Sequence, residues 1–203
     1  MLTIIDYGMG NVGSIKNMLN KVGVTSKISS DIEEIKKSEK VILPGVGSFD
    51  TAIRRIDELG LRQIIVDLAT IKKIPVLGIC LGMQLLMEKS EEGTLNGLGL
   101  IKGESLHFKN RISPELKIPH MGWNIVHINN PTELTKDFSD EMRFYFVHSY
   151  FVKVANPENS MLKCHYGIDF DAAVNFDNIY GAQFHPEKSH QFGIKFFANF
   201  AKL

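Results

Sequence analysis

The pentapeptide Gly78-Ile79-Cys80-Leu81-Gly82 places a candidate nucleophile between two glycines. It follows an apolar run at 75–79 that reads as a buried strand, and it precedes a helical pattern at 81–88. A strand that turns sharply into a helix brings the chain close to itself on both sides of the central residue, and glycine permits that approach. A thiol on such a turn meets unpaired backbone N–H groups and the positive end of the helix dipole. Both favour the thiolate, which is the attacking form. The N–H of Leu81 is also placed to receive an oxyanion. By itself the segment fits an ordinary buried cysteine equally well, because free cysteine is among the most buried residue types.

A second group with chemistry is Gln183-Phe184-His185-Pro186-Glu187. A strand ends at Phe184 and delivers His185 at its C-terminal edge, and Pro186 stops the strand. Glu187, two residues on, can accept a hydrogen bond from the imidazole and stabilise the imidazolium, as the third member of a triad does. The bland alternative is a loop histidine beside a solvated carboxylate. A third segment, Pro44-Gly45-Val46-Gly47, follows the apolar run 41–43. Glycines on both sides of Val46 let a backbone N–H point into a pocket or flip, as a second oxyanion donor would need. The alternative there is a plain strand-to-helix turn. Both the cysteine and the histidine motif lie at C-terminal ends of strands, where open α/β sheets place their sites.

The elements around these motifs alternate. A strand at 2–6 ends in the turn Gly8-Met9-Gly10, and Val12, Ile15, Met18, Leu19 and Val22 then share one helical face. A strand at 24–28 follows, and Asp31 with Glu34 forms a capping-box pattern for a short helix. Leu61, Ile64, Ile65, Leu68 and Ile71 mark another amphipathic helix. Repeated strand–helix alternation predicts a mostly parallel sheet covered on both faces. The second half changes character. Runs at 123–128, 143–147, 150–154, 172–176 and 179–184 are β-branched or aromatic and parted by turn residues. Phe192, Phe196, Phe197 and Phe200 then fall at helical spacing, and 109–117 is the most polar stretch and reads as a surface loop.

Composition bounds the function. The 203 residues carry 23 Lys+Arg against 23 Asp+Glu, so no general charge draws the chain to nucleic acid or an anionic membrane. The length suggests a single domain spanning 1–203. Two cysteines, Cys80 and Cys164, cannot build a disulfide framework, and no C-x-x-C pair or histidine spacing suggests a metal site. The usage fits a reducing cytoplasm. The longest uncharged apolar run, 74–87, falls short of the ~18 residues of a spanning helix. The expectation is a cytoplasmic enzyme without metal or cofactor.

Six segments in this order carry a resemblance that spans nearly the whole chain: Asp6-Tyr7-Gly8-Met9-Gly10-Asn11, Pro44-Gly45-Val46-Gly47, the run GICLGMQLL from Gly78, PHMGWN from Pro119, YFVHSY from Tyr145 and QFHPEKS from Gln183. Together they resemble the class I (triad) glutamine amidotransferases, and within that family most of all the glutaminase subunits of imidazole glycerol phosphate synthase. The resemblance implies a three-layer, flavodoxin-like α/β fold with extra antiparallel strands in the C-terminal half. It implies that Cys80, His185 and Glu187 form the triad and that Val46, Gly47 and Leu81 supply the oxyanion hole. Gln84, Glu92, His148, Ser149 and Tyr150 would hold glutamine, with Glu92 receiving its α-amino group. The partner would be a (β/α)₈-barrel cyclase subunit in a heterodimer, contacted through Asn11, Trp123, Asn124, Tyr145 and Lys188. Ammonia released from glutamine would pass to that cyclase for histidine biosynthesis. An alternative keeps the glutaminase but changes the acceptor. The segment from Asn11 to Met18 also resembles paralogues that supply ammonia for amidine formation on surface-polysaccharide sugars.

Overall fold

The first strand, β1 (Leu2–Ile5), is buried along its whole length and lies between two parallel neighbours. The computed structural model describes residues 1–139 and 141–203. Helix α1 (Val12–Lys21) is capped by Asn11, whose Oδ1 accepts from the N–H of Ser14. Strand β2 (Ser26–Ser29), helix α2 (Ile32–Lys36) and strand β3 (Lys40–Leu43) follow. Asp31 caps α2 by accepting from the N–H of Glu34, but the box is only half formed: the Asp31 N–H donates to the Ser29 hydroxyl, which in turn donates to Glu34. Helix α3 (Phe49–Glu58), absent from the sequence-based assignment, precedes α4 (Leu61–Thr70) and β4 (Val76–Ile79). Its buried residues, Phe49, Ala52, Ile53 and Ile56, repeat at helical spacing.

Helix α5 (Leu81–Leu85) is shorter than the 81–88 expected from periodicity. The segment returning at 98–101 explains the early stop. The N–H groups of Leu98 and Leu100 donate to the carbonyls of Leu85 and Leu86, taking acceptors that a longer helix would have used internally. Strands β5 (Lys89–Ser90), β6 (Gly103–His107), β7 (His120–Ile125) and β8 (His127–Ile128) lead into the second half. There β9 (Arg143–His148), β10 (Tyr150–Val154), β11 (Ser160–His165), β12 (Asp169–Phe176) and β13 (Ile179–Ala182) precede the last helix, α6 (His190–Lys202). Strands β5, β6 and β11 are additions to the sequence-based assignment.

The main sheet runs β2-β1-β3-β4-β13-β12-β10-β6-β5, with β11 joined to β12 and β8. Its first five strands are parallel, and β12, β10 and β6 continue it by antiparallel pairs. Strand alternation splits the interior into two cores. Ile4, Ile42 and Leu77 face Leu19 of α1 and Phe196 and Phe200 of α6. Ile5, Val41, Leu43 and Val76 face Ile35, Ile53, Ile65 and Leu68 of the helices on the other side. Apolar residues on both faces are what a parallel sheet under two helical layers requires. No helix among the described residues is long and apolar enough to cross a membrane.

Two register facts position the site. Gly78 of β4 pairs with Gly181 of β13 and with Leu43 of β3. The three central strands therefore end side by side, and the residues after them share one edge.

Candidate active site

Cys80 leaves β4 with φ 55° and ψ −111°, a conformation in which a non-glycine residue costs on the order of 1–3 kcal/mol. Its own N–H donates to the carbonyl of Ala182 at 2.7 Å, which ties the turn to β13. The flanking glycines are forced by crowding. A Cβ at Gly78 would lie 2.5 Å from the carbonyl oxygen of Gly82, and one at Gly82 would collide with the carbonyl of Leu43. With only five residues, α5 supplies less of a dipole than the sequence pattern promised, and what it offers the elbow is its first N–H groups.

His185 follows β13 by three residues, beside Cys80, and its side chain is buried. Phe184, just before it, stacks on Phe144 at 3.8 Å between ring centres, which fixes the chain where the histidine departs. The Nδ1 of His185 lies 2.8 Å from Oε1 of Glu187, whose side chain is also buried. Nε2 has no partner in hydrogen-bonding geometry and is the nitrogen left for Cys80. Burial works against a charged ring, but Cys80 and Glu187 together outweigh it and push the imidazole up to about 10. A proton is thus held where a leaving group on the thiol's side would take it.

A cavity of about 360 Å³ opens between these groups, near the small end of the roughly 300–1,000 Å³ typical of ligand pockets. It is lined by Cys80 and His185, by the predicted oxyanion residues Val46, Gly47 and Leu81, and by Gln84, Glu92, His148, Ser149 and Tyr150. Glu187 stands behind His185 and does not line it. Glu91 and Glu92 diverge. Glu91 turns outward to Arg111, whose hydrogen bonds hold its carboxyl below the usual range. Glu92 turns inward and accepts from the N–H of Phe49 at 2.9 Å, and burial raises its carboxyl. That arrangement leaves the Glu92 carboxyl at the cavity wall rather than in a solvated pair with Glu91.

The 44–47 loop packs tightly on the elbow. A Cβ at Gly45 would come within 2.8 Å of the N of Gly82 and 2.9 Å of the hydroxyl of Tyr7. Gly45 is therefore required by close packing, whereas Gly47, at φ 108°, occupies the left-handed region. Tyr7 donates to the carbonyl of Pro44 at 2.7 Å beneath the loop, and burial, followed by the charge of Cys80, raises its hydroxyl well above the usual range.

Two residues outside the sequence-based site join it. Gln183 is fully buried and its Nε2 lies 3.8 Å from the Cys80 sulfur, while its Oε1 accepts from Gln84. The i, i+2 spacing of Gln183 and His185 was the available signal, because it places both on one side of an extended chain. His120, at the start of β7, pairs with His148 of β9, and their ring nitrogens approach to 3.0 Å. Burial pushes His148 down to about 3 and His120 down to about 4.

These two rings make the fold acid-sensitive. Both stay neutral when folded, while the unfolded chain takes up protons near pH 6.5. Their stability contribution is therefore intact above about 6.5 and falls with pH, by up to ~1.4 kcal/mol per unit and ring. The raised pKa of His185 acts oppositely: its contribution is held below about 6.5 and lost toward alkaline pH, so it adds no acid slope. Between pH 7 and 5 the melting temperature should drop by roughly 8–16 °C. A melting temperature unchanged over that range would contradict neutral buried rings.

Of the residues proposed for a partner, Trp123 is 44% exposed, in a row with Met121 and Ile125 on the outward face of β7. Its ring stacks on His190 at 5.6 Å. Lys188 lies 5.7 Å over the ring of Tyr145, and Lys188 also lines the cavity. Asn11 is exposed and caps α1. Asn124 sits on the opposite face of β7 from Trp123 and directs its amide inward, to the carbonyl of His165 and toward His120.

Fold and matched family together define the class: the chain belongs to the class I glutamine amidotransferases, whose family model matches residues 3–203. A crystal structure of a glutamine amidotransferase superposes with a TM-score of 0.75 at 15% identity, covering 99% of each chain. The structure of PurLQS from Thermotoga maritima gives 0.74 at 21%, covering 99% of this chain and 97% of that one. Both are likenesses of fold. The sequence relatives are narrower in name. Imidazole glycerol phosphate synthase subunit HisH 2 of Methanococcus maripaludis is 52% identical, covering 100% of this chain and 99% of the relative. The subunit HisH 2 of Pseudomonas aeruginosa is 45% identical and the HisH of Leptospira borgpetersenii 44%, each covering 100% of both chains.

Proposed function

We propose that this chain is the glutaminase subunit of an imidazole glycerol phosphate synthase, acting in the cytoplasm as a single amidotransferase domain. The observation that carries this reading is convergence on one cavity: a strained cysteine, a histidine held in its charged form, and the inward carboxylate of Glu92. The Cys80 sulfur attacks the carboxamide carbon of glutamine, and the N–H groups of Leu81 and of Val46 or Gly47 receive the oxyanion. One such donor is commonly worth about 3–4 kcal/mol of barrier. His185 gives its proton to the nitrogen as the C–N bond breaks, and ammonia leaves a γ-glutamyl thioester. His185 then takes a proton from water, which adds to the thioester carbon. The C–S bond breaks, glutamate is released, and the sulfur leaves as the thiolate beside the protonated His185, as at the start.

Ammonia then passes to a (β/α)₈-barrel cyclase for histidine biosynthesis. The outward row Met121, Trp123 and Ile125 offers that partner an apolar strip, with Asn11, Tyr145 and Lys188 as the polar contacts. Glutamate release should rise strongly when the chain is mixed with a histidine-pathway cyclase and the cyclase's nucleotide ligand. No stimulation, with Cys80 still labelled by a glutamine-analogue electrophile, would move the acceptor to a sugar pathway.

A further inference from the structure

A line of polar groups, buried from His120 inward, runs from β7 to the nucleophile, and its hydrogen positions can be worked out from both ends. At the outer end, the Nδ2 of Asn124 donates to the carbonyl of His165 at 2.9 Å, and its Oδ1 accepts from the N–H of Ile125. A flipped amide would set oxygen against that carbonyl, so the nitrogen is fixed where it stands. It lies 3.3 Å from Nε2 of His120. An amide nitrogen only donates, so this Nε2 is an acceptor and the His120 proton is on Nδ1. At the inner end, Nδ1 of His148 lies 2.7 Å from the carbonyl of Tyr150, which only accepts, so the His148 proton is on Nδ1 as well. The two deductions meet at the 3.0 Å contact, where Nδ1–H of His120 donates to Nε2 of His148. One arrangement of a neutral pair satisfies every contact.

Beyond His148 the line continues into the cavity. The Tyr150 carbonyl also accepts from Gln84 at 3.2 Å, Gln84 donates to Gln183, and Gln183 donates to the Cys80 sulfur. We infer that His120, oriented by Asn124, is a positioning residue for the glutamine site: it donates to Nε2 of His148 and so holds that ring in place, with its Nδ1–H on the Tyr150 carbonyl that also receives Gln84. This inference rests on the glutaminase reading above. It assigns the inward face of β7 a task separate from the outward row that carries Trp123.

The surroundings keep the pair neutral. The His120 ring is stacked between Phe146 and Tyr166, at 4.9 Å and 4.1 Å, with Phe108 and Phe170 edge-on. The titratable groups that bear on the pair are Tyr166, from the turn between β11 and β12, and His185 on the cavity side. Phe108 and Phe170 also close the His148 side. An added proton has no good place. On Nε2 of His120 it would face the Asn124 amide, donor against donor. On Nε2 of His148 it would turn His120 into an acceptor at Nδ1 and move that ring's proton toward the same amide.

The test uses the chain assembled with its cyclase and measures glutamine KM and kcat between pH 5.5 and 8. His120→Phe keeps the ring stack and loses the donor. It should raise KM roughly tenfold, the size of one hydrogen bond, while kcat changes little. His120→Asn restores a donor near the old Nδ1 position and should recover most of that KM. Iodoacetamide labelling of Cys80 in each variant, at the wild-type rate, reports an intact fold. An unchanged KM in a well-folded His120→Phe protein would overturn the inference. So would equal losses in both variants, since that pattern marks a packing role. A wild-type complex that released no glutamate would instead remove the glutaminase reading itself.

Discussion

Cys80→Ala should reduce glutamate release by ~10⁴-fold or more, the scale on which removal of a covalent nucleophile acts. The change deletes one sulfur and leaves the backbone path of the elbow in place, because the hydrogen bond from the Cys80 N–H to Ala182 is a main-chain bond. The protein should therefore fold, with a stability change set by the lost sulfur and by the unpaired Nε2 of Gln183. The variant also removes the Cys80 contribution that raises His185, so nucleophile and part of the hold on the imidazole's proton are lost together. Glu187→Gln gives a graded comparison. It keeps the shape but removes the charge that steadies His185, and a loss of ~10²–10⁴ is the scale for such a change in a triad. The assay is glutamate release with the cyclase present. A Cys80→Ala rate within ~10² of the wild type would exclude the thioester route, since covalent catalysis accounts for more than that.

The parts of this design that were legible in the sequence are local ones. Gly78, Cys80 and Gly82 encode the elbow within five residues, and His185 and Glu187 lie two apart, so type and spacing suffice to suggest their chemistry. The parallel half of the sheet was legible because β3 and β4 are largely apolar on both faces and α1 and α4 carry their own stripes, whereas β2, Ser-Lys-Ile-Ser, carries little apolar signal of its own. Helix α3 had the same stripe, in Phe49, Ala52, Ile53 and Ile56, but five charged residues interleave with it in a span that begins right after a glycine loop. Strands β5, β6 and β11 carry charged or polar residues and take their identity from partners distant in sequence, as with Gly103 of β6 opposite Val154 of β10. The shortened α5 is tertiary as well, because the carbonyls that end it are claimed by a segment more than ten residues later. The same limit hid His120. Its motif was visible, but its meaning depends on the β7–β9 register that sets it opposite His148.

Gly82→Ala should be among the most damaging single methyls in the chain. Gly82 lies in the first turn of α5, where a Cβ would be driven into the carbonyl of Leu43, a backbone atom held by the β3–β4 ladder. A side chain could rotate away, but this carbonyl cannot, so α5 must lift off the end of β3. Overpacking usually costs 1–3 kcal/mol, and a clash with fixed backbone belongs at or above the top of that range, about 3 kcal/mol. That is a large share of the roughly 5–15 kcal/mol that holds a typical domain together. Any variant that does fold would carry Cys80 and Leu81 away from the 44–47 loop and from His185. A displacement near 1 Å is enough for a rate loss of ~10². Gly13→Ala supplies the contrast. Gly13 is a helical glycine in α1 with open space around it, and an added methyl there should stabilise by up to about 1 kcal/mol. Urea midpoints and Cys80 alkylation rates for the two variants separate the effects. If Gly82→Ala matched the wild type in both measurements, glycine at that position would owe nothing to the approach of Leu43.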